Sequence, residues 1–309
     1  MGSSPLVSME NASAALESIH ADEDFFDQES LLNFASRTSS IDYYKRDFLF
    51  RSGRWREKGV GPVAELVSPG HTLVIGHSDL PTRTTDVLRL RLLGNYKSIY
   101  ASNLMGPLRD ASGLGVNPIP LGLSNPTHES PLHPVYGKHS LLSEAWDFPK
   151  AVGRQSRRPQ IYANFSVSTS PSHRGRLADY LKGIPHIRWG ESVPTISGRL
   201  KYLRDIRECG LVICPRGNGM DTHRLWEALY LGAIPIVLRS SYQYWICRKF
   251  GLPAVGLSSW KELADVDKIL SLALSEGFTE EGIRRLRLSA WISKDGFLSS
   301  SRDGVNRNV

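Results

Sequence analysis

The run Leu211–Leu238, LVICPRGNGMDTHRLWEALYLGAIPIVL, holds the densest set of groups able to do chemistry. An apolar strand ends at Pro215, a loop with Gly217 and Gly219 follows, and a helix is predicted to start near Asp221. Glycine lets the backbone approach a ligand closely. A helix start offers unpaired N–H groups and the positive end of the helix dipole, which suits a diphosphate. Arg216, His223 and Arg224 add cationic or donor groups at that same end. Glu227 follows His223 by four residues and Arg224 by three, so one helical face carries all of them. The first turn would then hold phosphate while Glu227 accepts from ribose hydroxyls. A plainer reading makes Asp221 an ordinary N-cap, Arg224–Glu227 a surface ion pair and Gly232 a helix stop. The polar group lies between two apolar strands, at the sheet end where α/β proteins bind ligands, and this favours a site. Gly-x-Gly without a third glycine is neither a dinucleotide-binding fingerprint nor a Walker A loop.

Two other segments carry candidates. In Tyr162–Arg176, YANFSVSTSPSHRGR, a strand ends near Ser166. A hydroxyl-rich loop with Ser168, Thr169, Ser170 and Ser172 leads into a helix bearing Arg174 and Arg176. Hydroxyls and arginines at a helix start suit phosphate contact. The alternative is a Ser/Pro turn with exposed arginines. His77-Ser78-Asp79 follows the apolar run His71–Ile75 directly. A carboxylate or imidazole there could deprotonate an attacking hydroxyl, with Asp79 the first candidate base and His77 the second. The alternative is that Ser78-Asp79 caps the Leu80–Pro81 turn.

Asp22-Glu23-Asp24 and Asp265-Val266-Asp267 have an Asp-x-Asp form able to hold a divalent cation. Neither ends an apolar strand, so both read as solvated charges and no metal is expected. Negative charge of a bound or departing phosphate would then be met by the helix dipole with Arg216, His223 and Arg224.

The elements that must position these groups alternate. His71–Ile75 and Lys97–Ala101 read as strands flanking a helix over Thr85–Leu93, and Asn117–Leu123 reads as extended. Phe48, Phe50 and Trp55 should begin a core. After a Pro/His/Ser-rich bridge, strands are predicted at Gln160–Ser166, His186–Trp189, Leu211–Cys214 and Ile234–Leu238. Helices are predicted at Arg174–Lys182, Ser197–Arg207, Thr222–Leu231, Trp260–Ser275 and Thr279–Ile292. The expected division is a polar, loosely held segment 1–40, an α/β domain 41–150, a second α/β domain 158–298 and a disordered tail 299–309. Strand–helix alternation implies parallel sheets.

The 309 residues suit two domains, and 40% hydrophobic residues suffice for real cores. A net charge of +7 suits an anionic partner such as a nucleotide, and is compatible with peripheral contact with an acidic membrane surface. Nucleic-acid binding would need Lys and Arg clustered with aromatics on one face. They are scattered instead, and Arg284, Arg285 and Arg287 read as a solvated helix face. Cys209, Cys214 and Cys247 form no CxxC pair. There is no signal-peptide pattern and no apolar run of the ~18 residues a membrane span needs, so a cytoplasmic protein is expected.

Residues 215–237, PRGNGMDTHRLWEALYLGAIPIV, resemble the signature of the exostosin-like (GT47-type) glycosyltransferases. The likeness extends loosely to Tyr162–Arg176. It implies a GT-B fold, two Rossmann-like α/β domains facing a central cleft. It further implies an inverting transfer from a nucleoside diphosphate sugar, commonly a UDP-sugar, to a hydroxyl of a glycan or other acceptor. No essential metal or other cofactor is implied. The family's donor-binding positions fall on Arg216, Gly217, Asp221, Thr222, His223, Arg224 and Glu227. The alternatives are a catalytically inactive relative that binds nucleotide sugar or glycan, and a basic nucleic-acid-binding protein.

Overall fold

A computed structural model describes residues 6–38, 41–45, 48–51, 54–57, 70–76, 79, 81–83, 87, 96–106, 115–126, 133–148, 160–293 and 296–297. The chain first forms two helices, α1 (Met9–Ala21) and α2 (Gln28–Ser36). Ser8 caps the first by accepting from the Asn11 N–H, and Asp27 caps the second by accepting from the Ser30 N–H. Ala12, Leu16 and Ile19 fall four and three residues apart, so they share one face of α1, and that face is buried. Phe25, Phe26 and Leu31 join it in the core. Over residues 6–38 the expectation of a loosely held start is therefore corrected. The apolar stripe is narrow, and the polar residues around it conceal it in any average.

His20 anchors this segment. Its ring stacks on Trp146 with centroids 4.6 Å apart, and its Nε2 donates to the Tyr230 carbonyl at 2.8 Å. Burial drives its pKa down to about 4, against the pull of that carbonyl. A buried neutral histidine stabilises the fold above its ordinary pKa of 6.5, and the contribution is lost as pH falls toward 4. The melting temperature should accordingly fall more steeply across that window in the wild type than in His20→Phe, which keeps the stack but cannot titrate. Parallel melting curves for the two proteins would remove His20 as the cause.

The first sheet comprises β1 (Ile41–Lys45), β2 (Phe48–Arg51), β3 (Arg54–Glu57), β4 (Thr72–Ile75), β5 (Ser98–Ala101) and β6 (Val116–Pro118). Its spatial order is β3-β2-β1-β4-β5-β6. β1, β4, β5 and β6 run parallel, and β2 and β3 fold back as an antiparallel meander on one side. The segment expected to begin a core around Phe48–Trp55 is this meander. Of the helix expected over 85–93, only Val87 lies within the described residues, and it is buried.

Short helices α3 (His133–Tyr136) and α4 (Ser140–Trp146) lead to the second sheet. There β7 (Ile161–Ala163), α5 (Pro171–Leu181), β8 (Ile187–Trp189), α6 (Ile196–Cys209), β9 (Leu211–Ile213), α7 (His223–Tyr230), β10 (Ile234–Leu238), α8 (Tyr242–Phe250) and β11 (Val255–Leu257) alternate strictly. All five strands are parallel, in the order β8-β7-β9-β10-β11. Counted from β7, that order is 2-1-3-4-5, a doubly wound arrangement whose direction of winding reverses between β7 and β9. Gly210 stops α6 in a left-handed conformation, with φ 70°. The chain is thus a Rossmann-like α/β protein with parallel sheets.

Two predicted helices are corrected. Trp260–Ser275 is a 3-10 turn, Trp260–Ala264, and a separate helix α9 (Val266–Leu274), because Asp265 leaves helical geometry and caps the Lys268 N–H. Thr279–Ile292 breaks into α10 (Glu280–Leu286), which ends where Arg287 turns extended with ψ 130°, and a 3-10 turn, Leu288–Ala290. A short hairpin, β12 (Ile292–Ser293) with β13 (Gly296–Phe297), follows. The tail 299–309 and the bridge residues 149–157 lie outside the described residues.

One cluster of buried side chains runs through both halves, from Leu16 and Phe25 through Ile99 to Trp226 and Trp291. A second, containing Ile161, Ile213, Ile236 and Leu257, covers the other face of the second sheet. Among the described residues, no helix is long and apolar enough to cross a membrane.

Candidate functional site

The segments that follow β4, β5 and β6 meet those that follow β7 and β9 around one buried carboxylate. Asp221 accepts from the Leu121 N–H at 3.0 Å, the Thr222 N–H at 2.8 Å and Trp226 Nε1 at 3.1 Å. Its own N–H donates to Asn103 Oδ1 at 2.8 Å. Burial pushes the carboxyl pKa up to about 6, although the three donors pull it down. Asp221 is a cross-tie between the halves rather than a plain N-cap.

Beside it a cleft of about 300 Å³ opens at the point where the winding of the second sheet reverses. Open α/β sheets bind ligands outside the carboxyl ends of their strands at such a point. Its wall after β7 carries Asn164, Ser166, Thr169 and Arg174, and its wall after β9 carries Gly217, Asn218 and Gly219. Arg174 fixes the two walls together. Its Nε donates to the Arg216 carbonyl at 2.8 Å, its Nη1 to the Ser166 carbonyl at 3.0 Å and its Nη2 to the Pro215 carbonyl at 3.3 Å. Gly219 lets the loop pass close to the segment after β4: a Cβ there would sit tightly, 3.2 Å from the Asp79 carbonyl oxygen and 3.3 Å from its Cα.

The N-cap of α7 is Thr222, whose side chain makes no capping bond and instead accepts from Gln243 Nε2 at 3.3 Å. The first-turn amides are thus not closed by a side chain. His223 Nδ1 lies 2.8 Å from the Gly122 carbonyl. A carbonyl only accepts, so Nδ1 carries the hydrogen. Gly122 holds this carbonyl in place at φ 72°, where a Cβ would lie 2.4 Å from the Phe26 carbonyl oxygen. Burial lowers the His223 pKa, against the Gly122 hydrogen bond and the charge of Glu227, so the ring is neutral at pH 7.

Arg224 points into the cleft with no hydrogen bond or ion pair among the described residues, and its Nε is buried without a partner. Glu227 is 4% exposed. Its Oε1 accepts from Arg199 Nη2 at 2.6 Å and its Oε2 from the Tyr202 hydroxyl at 2.6 Å. Burial pushes the Glu227 pKa up, but Arg199, the two hydrogen bonds and Arg224 outweigh it and hold the carboxyl below its usual range. Two guanidiniums therefore face one carboxylate at the floor of the cleft. That local surplus of positive charge suits an anion there, while Asp79, Glu191 and Asp221 line the cleft elsewhere.

Of the residues expected in the site, Asp79, Thr169, Arg174, Gly217, Gly219, Asp221, Thr222, His223, Arg224 and Glu227 line this one cleft. Arg176 is exposed on α5 and, like Arg216, does not line it. Arg216 offers its carbonyl to Arg174. His77 lies outside the described residues. Tyr136, Asn164, Glu191, Arg199 and Tyr202 also line the cleft, and sequence reasoning missed them. Arg199 and Tyr202 are three apart on α6, which places them on one face, but nothing in the sequence brings that face to Glu227.

The remaining charged motifs serve the fold. Asp22 caps the end of α1, and Asp24 accepts from the Ser289 N–H at 2.8 Å and lies 3.7 Å from Arg287. Asp265 caps α9. Arg284 and Arg285 pair with Glu281 at 2.7 and 2.5 Å, and Arg285 lies over the Trp291 ring at 5.0 Å. Arg284 keeps 42% of its side chain exposed, while Arg285 and Arg287 are partly buried in their ion pairs. Among the described residues, no group of three or more His, Cys, Asp or Glu is arranged to hold a metal. Compared with known proteins, the chain matches no family model and no curated protein.

Proposed function

We propose that this chain is a GT-B-type glycosyltransferase that moves a sugar from a nucleoside diphosphate sugar, with a UDP-sugar favoured, to a hydroxyl acceptor. The observation that carries the reading is Arg224: an unpaired guanidinium facing a cleft, at the open start of α7, one turn before Glu227. A diphosphate would supply the missing negative charge and accept from the first-turn amides. Glu227 retains acceptor lone pairs for ribose hydroxyls, because each of its oxygens accepts one hydrogen bond among the described residues. The two α/β halves supply donor and acceptor sides in this reading, which agrees with a cleft lined from both.

The transfer would run with inversion. The acceptor hydroxyl oxygen attacks the anomeric carbon while its proton passes to a base, and Asp79 at the cleft supplies that carboxylate. The bond from the anomeric carbon to the diphosphate oxygen breaks, and the electron pair leaves with the diphosphate. Arg224 and the amides of α7 would stabilise that charge as it develops.

The test is thermal stabilisation by UDP and GDP, with and without EDTA. A ligand at 100 times its dissociation constant adds about 2.7 kcal/mol, a readily visible rise in melting temperature. One nucleotide should give the rise and EDTA should not diminish it. If neither nucleotide shifts the melt, the donor site does not exist as described.

A further inference from the structure

His223 meets the cleft with one ring nitrogen already committed. The Gly122 carbonyl holds the hydrogen on Nδ1, at 2.8 Å, and leaves Nε2 as the atom available to a ligand. In the neutral ring Nε2 is a lone pair and can only accept. Phosphate oxygens also only accept. The two cannot bond unless a proton comes between them.

We propose that the site takes up a proton when it binds a diphosphate, and that His223 Nε2 receives it. The inference rests on the reading of the cleft as a nucleoside diphosphate site. His223 is the first residue of α7, and side chains of a helix lean toward its N-terminus. The ring therefore lies beside the amides that would hold the phosphates.

The surrounding charges set the balance. Glu227 from the same helix and Asp79 from the segment after β4 favour the imidazolium. Arg199 from α6 opposes it, as does burial, the largest influence. Arg224 adjoins it on α7, and Asp221 two residues before it is committed to three N–H donors. In the empty cleft the neutral ring prevails. A diphosphate adds negative charge at contact distance and raises the histidine pKa. Binding then takes up to one proton, and affinity weakens as pH rises through the range between the free and bound pKa values, by up to roughly tenfold per pH unit.

Isothermal titration of wild type and His223→Gln with UDP and with GDP near neutral pH tests this. Phosphate and Tris buffers have different heats of ionisation, so the apparent enthalpies count protons. The nucleotide's own terminal phosphate titrates near neutrality and contributes to both proteins, so their difference reports His223. Wild type should take up a fraction of a proton, approaching one, more than the variant, and should lose affinity at higher pH where the variant does not. Equal proton counts and parallel pH profiles would overturn the inference while leaving the nucleotide site standing. Failure of wild type to bind either nucleotide would overturn both. Should His223→Gln fail to fold, wild type with UDP-glucose decides alone, because its esterified phosphates do not titrate near neutrality: buffer-independent enthalpy there overturns the proposal.

Discussion

Replacing Arg224 by methionine is expected to weaken nucleotide binding strongly while costing the ligand-free protein little stability. In the ligand-free cleft this guanidinium has no hydrogen bond or ion pair among the described residues, and its Nε is buried without a partner. Burial disfavours its charge, but Tyr202 and Glu227 outweigh the burial and raise its pKa. Methionine keeps most of the packing volume and removes the charge. The variant should therefore be somewhat less stable than wild type in urea without ligand. With nucleotide the loss is larger. Losing a charge-assisted contact costs about 1.5–3 kcal/mol, or roughly 10- to 150-fold in dissociation constant. Affinity within a factor of two of wild type, in a folded variant, would remove Arg224 from the site.

Glu227→Ala should cost more stability. The Arg199–Glu227 pair is buried on both sides, with side chains 3% and 5% exposed. Truncating Glu227 leaves Arg199 and the Tyr202 hydroxyl without their 2.6 Å acceptor, beside an Arg224 that already lacks one. Breaking one side of a buried pair costs about 3–5 kcal/mol. The double variant Arg199→Met/Glu227→Leu should recover much of this, since it removes both charges together. Because the Glu227 pKa is held below its usual range, its contribution is present above the ordinary carboxylate pKa and is lost as pH falls through the lower folded value. Chemical denaturation of the single and double variants checks the point; equal losses in both would mean that packing, not charge, governs the site.

Much of the second half was legible because its strands are short, apolar and bounded by glycine or proline. Ile234–Leu238 coincides with β10, and Leu211–Ile213 lies within its predicted run. The residues from Gly217 to Glu227 could be grouped because one loop and one helical turn hold them together in sequence. Arg199 and Tyr202 could not, since their partner Glu227 lies 25 or more residues away and only the packing of α6 against α7 joins them. Arg174 illustrates a different limit. Its charge was visible, but its direction was not: it turns onto three backbone carbonyls and braces the loop. The same holds for α1 and α2, whose buried faces face partners far along the chain.

Those partners bear on how the protein is made. Val7 donates its N–H to the Phe278 carbonyl, Phe25 bridges to Arg287, and Asp24 holds Ser289. A ribosome adding about 5–20 residues per second needs roughly 15–50 s to reach the second member of each pair after the first. For that interval Leu16, Ile19, Phe25 and Phe26 have emerged without part of the surface that later covers them. Helices α1 and α2 are thus locked only after residues 278–289 have been made, and nascent chains stalled before residue 278 should be cut readily by protease within residues 6–38 while the same segment resists in the folded protein.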